Sequence, residues 1–491
     1  MIKKRSLILL ILVFALLLTG CDEVYEPTDK IGVLGTEREQ DKVSRGVLDE
    51  LELVYYEDMD QNPITTQNSY NHELLKLVYS PLVMLNSNFE PVCVLAESFA
   101  VEGSSVRVQL KEGLTFSDGS PVTAADVVAS YNAAKAASTS PYYSQLEKFT
   151  SFKAEGELTF IANLALADID AASSLDLPIM QAGKNLVGCG PYVFSQYNGE
   201  TVLVKNENYF KSANVGRIKL RSAESLQQIQ NLFLVGQLDM LIMDKSIDST
   251  LISSRDYDIV NYNSSTMVFL GVNSQRPALS EGSVRRAISD CIDRSYLRDQ
   301  TMVGWADATV YPFSPNWYRC SGIEPLPQAD TAAAKEQLKG VGELSLLVTD
   351  SSNNLKDVAS RIAEFLANMG VKINVTVLDS ESYHKQIAAG EYDLYLGQTK
   401  LKRDMDSTFL FSTDRTINLQ SANSAQLDQA YENYKAGNIT LLEYCNIWRE
   451  YTPVIPLFFQ KNALFVTKGV TGITANNSFA VYGDITSITL S

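Results

Sequence analysis

Histidine is nearly missing from this chain of 491 residues: His72 and His384 are the only two. Neither lies near a nucleophile or a carboxylate cluster in sequence, which argues against a Ser-His-Asp hydrolase or a histidine-rich metal centre. His384 falls in an amphipathic pattern and reads as a partly exposed structural residue. No G-x-S-x-G, Walker A or H-E-x-x-H pattern occurs, so no catalytic residue, metal ligand or cofactor is expected. Basic charge is scarce too. Forty-one Lys and Arg against 58 Asp and Glu give a net charge of −17. Such a body is repelled by phosphates and by anionic headgroups, which excludes nucleic acid as a partner. Cysteine is sparse and scattered. The six show no C-x-x-C pair and no metal spacing; most are expected to be inert and buried, with one disulfide possible, Cys291 with Cys320.

Long apolar runs are also missing, with one exception at the start. Lys3, Lys4 and Arg5 precede the apolar stretch Leu7–Leu18, which is shorter than the roughly 20 residues of a spanning helix. It closes on Leu18-Thr19-Gly20-Cys21, which resembles the bacterial lipobox. The resemblance implies a signal peptide over 1–20 and lipidation of Cys21, the alternative being a secretory signal with a chance cysteine. Removal of the three basic residues leaves −20, so attachment to a membrane must come from lipid rather than from a basic patch. The expected location is the extracytoplasmic face of the cell membrane.

Residues 21–50 are polar, with Pro27, Gly32 and Gly35, and read as a flexible tether. The body that follows, more than 400 residues, is too long for one core and calls for two or three lobes. Its pattern is mixed α/β. Val106–Leu110 alternates as a strand, Phe116–Gly119 is a turn, and Thr123 with Asp126 forms a capping box that opens a helix. Leu344–Val348 reads as a strand. Leu355, Val358, Ile362, Phe365, Leu366 and Met369 follow on one helix face, Gly370 ends the helix, and Val371–Val377 alternates again. This is a β-α-β unit with parallel strands.

An ordered series of segments then resembles the family 5 extracellular solute-binding proteins, the oligopeptide, dipeptide and nickel receptors of ABC importers. It runs from Tyr79-Ser-Pro-Leu-Val83, Leu95-Ala-Glu-Ser98 and Leu110-Lys-Glu-Gly113 through Phe116–Val128 to Val187-Gly-Cys-Gly-Pro-Tyr192 and Asn206-Glu-Asn-Tyr-Phe210. It continues through Val284-Arg-Arg-Ala-Ile288, the unit ending at Met369-Gly370, and Pro453-Val-Ile-Pro-Leu457. The resemblance implies a two-lobe clamp of the type II periplasmic-binding-protein class, joined by two hinge strands. Lobe I would comprise 51–269 plus 457–491, with an extra subdomain, and lobe II 270–456. The implied partners are a permease and a separate cytoplasmic ATPase, and the expected state is a monomer. Cys189 departs from the family, which has a small hydroxyl residue there, and reads as a buried substitution of matching size.

The resemblance also implies site residues. Ser140-Pro-Tyr-Tyr143 matches a stretch whose tyrosine faces the ligand, which assigns that role to Tyr142; a loop aromatic is the alternative. Asn68, Ser69 and Tyr70 align with a strand that pairs with an extended peptide. In the other lobe the match breaks over Tyr392–Leu410, which includes Gln398. Lys402 stands where oligopeptide receptors hold an ammonium with aspartate. Either Asp404 or Asp406 shifts into that role, or Lys400, Lys402 and Arg403 face a ligand carboxylate or phosphate, or all five charges are solvated around a loop. Trp305 and Trp317 either line the pocket or pack. The expected activity is capture of a peptide or peptide-like solute for import; the alternative is a surface receptor that senses a peptide and signals.

Overall fold

The computed structural model describes residues 50–56, 60–184, 187–244, 257–413 and 420–491. The lipobox, Cys21 and nearly all of the expected tether lie outside these. Among the described residues no helix is long and apolar enough to cross a membrane.

Three larger sheets carry the fold. The first orders its strands Glu50–Tyr55, Arg217–Ser222, Glu200–Lys205 and Tyr192–Tyr197, with the first pair parallel. The second is antiparallel, in the order Ala96–Glu102, Ser105–Leu110, Thr159–Leu164 and Phe149–Glu155. Helix Ala124–Ala136 covers it. Thr123 and Asp126 form the expected capping box, and Tyr131 packs its ring 5.1 and 5.0 Å from those of Phe152 and Phe160. The Asp118-Gly119 turn also forms: the Gly119 amide donates to the Phe116 carbonyl, and Gly119 holds a φ of +84° that a Cβ would strain.

The third sheet has seven strands. Its path runs Met240–Met243, Val454–Thr467, Tyr257–Val272, Leu394–Lys400, Glu343–Thr349 and Lys372–Leu378, and Ala306–Ala308 adds to Val454–Thr467. The expected β-α-β unit lies at its far edge. Glu343–Thr349 and Lys372–Leu378 pair in parallel across helix Asn353–Asn368, which buries Leu355, Val358, Ile362 and Leu366. Gly370 follows the helix with a φ of +90°.

Tyr257–Val272 and Val454–Thr467 pair antiparallel along most of their 16 and 14 residues, with register breaks between Asn263 and Met267 and between Val268 and Phe269. Each strand serves two cores. Tyr262, Leu464 and Val466 pack with Leu51, Leu53 and Ile218, whereas Val268, Leu270, Ile455 and Leu457 pack with Leu346, Val358 and Ile362. Two apolar cores threaded by the same pair of strands are the arrangement of the type II binding-protein fold.

Val187–Tyr192 explains itself at this level. A Cβ on Gly188 would meet the Val78 carbonyl at 2.1 Å and one on Gly190 the Leu77 carbonyl at 2.5 Å, so only glycine lets the two backbones touch. Cys189 between them is buried, and burial pushes its thiol up to about 12, which makes it the inert residue expected. The Cys291–Cys320 disulfide does not form: both are free thiols, and so are Cys93, Cys189 and Cys445. Cys291 lies in the core of the β-α-β unit, whereas Cys320 packs on the aromatic core around Trp317 and Tyr444.

Candidate functional site

A cavity of about 350 Å³ lies against the two long strands, which contribute Tyr262 and Asn462 to its wall. Helix Ser69–Leu75 supplies Ser69, Tyr70, His72 and Glu73; the end of strand Met240–Met243 supplies Asp244; the segment after Leu394 supplies Lys400 and Arg403. Phe479 closes one side. The site thus draws on these four segments beside the two long strands.

Charge in this wall is mostly matched. Lys400 Nζ stands 3.1 Å from Asp244 Oδ2. Glu73 pairs with Lys76 and faces His72 Nδ1 at 3.6 Å. Burial alone would raise the Glu73 carboxyl, yet Lys76 and His72 outweigh it and hold it at about 2. Burial, then the Lys76 charge, lowers His72. Its Nε2 is buried without a hydrogen-bond partner among the described residues. The Tyr70 hydroxyl donates to the Ile242 carbonyl, 3.2 Å away, and burial raises its pKa.

A second set of charges is buried further along the chain's two halves. Lys148 Nζ lies 2.8 Å from Asp168 and 2.9 Å from Asp404. Lys435 Nζ lies 2.7 Å from Asp168 and 3.2 Å from both Asp170 and Asp404. Arg319 Nε and the Tyr434 hydroxyl complete the partners of Asp170, at 2.8 and 3.0 Å. Burial would neutralise these groups singly; opposite charges outweigh it, so Lys148 and Lys435 are raised and Asp168 and Asp404 lowered.

The expected site residues are only partly brought together. Ser69, Tyr70 and Lys400 share the cavity. Asn68, Ser69 and Tyr70 do not form a strand: Asn68 caps helix Ser69–Leu75, its Oδ1 accepting from the Tyr70 and Asn71 amides at 3.1 and 3.0 Å. An asparagine that satisfies two orphan helix donors commits its backbone away from edge pairing. Tyr142 does not face a ligand space. Its ring is fully buried, and the Arg403 guanidinium lies over it at 5.3 Å. Asp404 is taken up by Lys148 and Lys435, which leaves it unable to shift into an ammonium-binding role. Lys402 lies 3.8 Å from Asp406 and lines, with Asp404, a different cavity of about 560 Å³. Gln398 is exposed and lines a third, beside Tyr383 and Tyr395. Trp305 is half-buried against Val54 and Phe465, and Trp317 stacks on Phe313, their ring centroids 5.4 Å apart.

Sequence reasoning missed His72, Glu73, Asp244, Asn462 and Phe479, which carry no motif, and Asp176, which pairs with Arg403 across 227 residues.

The fold is that of a type II binding protein, and comparison with known proteins agrees. Residues 90–416 match the model of the bacterial extracellular solute-binding proteins, family 5. The chain belongs to that family, whose members serve ABC importers. It is 24% identical over 350 residues to the glutathione-binding protein GsiB of Escherichia coli K12, covering 65% of this chain and 67% of GsiB. It is 22% identical over 465 residues to the periplasmic murein peptide-binding protein MppA of the same strain, covering 82% and 86%. Among solved structures, the unliganded open form of MppA superposes with a TM-score of 0.73 at 18% identity, over 90% of this chain and 98% of that one. NikZ from Campylobacter jejuni, in complex with Ni(L-His), superposes at 0.65 and 17%, over 90% and 99%.

Proposed function

We propose that this protein captures a peptide or peptide-like solute in the cavity beside Tyr262 and Asn462 and delivers it to a membrane permease. In this reading the lobes comprise 51–269 with 457–491 and 270–456, and Cys21 carries the lipid that holds the body at the extracytoplasmic face. The observation that carries the reading is the cavity's position. It lies where two strands pass between two cores, so its walls come from both lobes and lobe rotation must reshape it. Backbone donors and acceptors of a peptide are suited by its mixed lining, with Asn462, Ser69 and Ser478 beside the Lys400–Asp244 pair. Two relatives are named for short peptides, glutathione and murein peptides, which supports the same ligand class.

Small molecules released by denaturing the purified protein and identified by mass spectrometry test this directly. Peptides should be recovered, and adding them back should raise the melting temperature and compact the protein in solution scattering. Recovery of only non-peptide solutes would overturn the peptide reading; bound peptide without compaction would overturn the clamp.

A further inference from the structure

Arg403 leaves the surface charge run in which it stands and turns inward. Its Nε pairs with the buried carboxylate of Asp176. Its guanidinium carbon lies 5.3 Å from the ring centroid of Tyr142 and 4.7 Å from that of Phe479. A guanidinium that meets a carboxylate and two aromatic rings occupies a place suited to an organic cation: the anion matches the charge, and each ring offers the negative face of its quadrupole. Gln145 Nε2 holds the other Asp176 oxygen at 3.0 Å. Gln145 Oε1 and the hydroxyls of Tyr131 and Tyr142 are buried without hydrogen-bond partners among the described residues. The surroundings of Asp176 therefore offer more acceptors than one arginine uses.

The same guanidinium stands between two cavities. Asp176 lines one of about 230 Å³ and Arg403 lines the candidate ligand cavity of about 350 Å³, while Glu73, Lys76 and Phe479 line both. Withdrawal of the arginine joins them into one longer space with Asp176 at its waist. A buried carboxylate left charged and alone is strongly disfavoured, so once Arg403 withdraws Asp176 either takes a proton or pairs with another cation.

We propose that Asp176, Tyr142 and Phe479 form a binding site for the guanidinium or alkylammonium group of a solute, and that Arg403 fills this site when no solute is bound. The proposal rests on the clamp reading only for how a solute reaches the site. It accounts for Tyr142: the residue that the family resemblance marks as facing the ligand faces a guanidinium of the chain itself.

Two experiments on the full-length protein decide it. In Arg403→Ala the site is empty, and methylguanidinium chloride at millimolar concentration should raise the melting temperature of this variant by several degrees. It should leave the unmutated protein and the double variant Arg403→Ala/Asp176→Asn unshifted, as should sodium chloride in all three. An equal shift in the double variant, or none in Arg403→Ala, overturns the site whatever the protein transports. If Arg403→Ala does not fold, calorimetry on the unmutated protein decides alone. The peptide Gly-Arg-Gly should bind at least about tenfold more tightly than its uncharged counterpart with citrulline. Equal affinities, or no binding of the arginine peptide, overturn the exchange, whereas capture of uncharged peptides would leave the clamp reading intact.

Discussion

Lys400 Nζ and Asp244 Oδ2, 3.1 Å apart, join the ends of two strands that do not touch in the large sheet, Leu394–Lys400 and Met240–Met243. Both residues line the candidate cavity. The lysine side chain is 65% exposed, so the pair is screened and contributes little to stability. Its consequence is the local charge seen by a ligand.

Lys400→Met is therefore expected to change unfolding free energy by less than about 1 kcal/mol, while weakening binding of a carboxylate-bearing peptide and flattening the salt dependence of that binding. Calorimetry at two ionic strengths checks this. An unchanged salt dependence would place the ligand away from Lys400.

The charges around Asp404 behave differently, because Asp168, Asp170, Asp404 and Lys435 are all at least nine-tenths buried. Lys435→Met leaves Asp168, Asp170 and Asp404 short of their shared cation, and should destabilise by about 3–5 kcal/mol in chemical denaturation. A loss under about 1 kcal/mol, the range of exposed pairs, would show that the cluster is solvated.

The same cluster sets a pH window. Asp168 and Asp404 titrate below their unfolded value of 3.8, so their contribution is present above 3.8 and is lost as pH falls through the lower folded values. Lys148 and Lys435 titrate above 10.5, so theirs is present below 10.5 and is lost as pH rises through the higher folded values. Melting temperature should form a plateau between these limits and fall on both sides, and Lys435→Met should shallow both slopes. A profile unchanged by the substitution would contradict the assignment.

Alkylation of the denatured, unreduced protein should label Cys291 and Cys320 without added reductant. Burial holds both thiols high in the fold, at about 11 and about 12, so labelling of the native protein should be slow. Labelling that appears only after reduction would restore the disulfide.

Metabolic labelling with a fatty acid should tag the protein, and Cys21→Ala should abolish the tag. Label retained by the variant would remove the lipobox reading.

Much of the fold was legible because its signals are local. The capping box of Thr123 and Asp126, the Asp118-Gly119 turn and the face Leu355–Val358–Ile362–Leu366 each rest on neighbours no more than four residues apart, where spacing dictates geometry. The site was legible only in part. Ser69, Tyr70 and Lys400 share one cavity, yet the strand expected at Asn68 became a helix cap. Tyr142 was marked for a ligand and met Arg403 instead.

The amino-acid sequence by itself determined the α/β character and the β-α-β unit through Gly370, because hydrophobic period and turn chemistry act over a few residues, and its ordered motifs carried the resemblance to the family. The tertiary structure alone decided which charges are spent internally. Arg403 lies 227 residues from Asp176, and Asp404 lies 256 from Lys148. In the sequence, Lys400 to Asp406 is one run of charge whose ion-pair partners carry no signal. In the fold Lys400 reaches Asp244, Lys402 reaches Asp406, Arg403 turns inward to Asp176, and Asp404 is sealed between two lysines. Burial gives each of these neighbours a different partner, and burial depends on chain segments that approach only when both cores have formed.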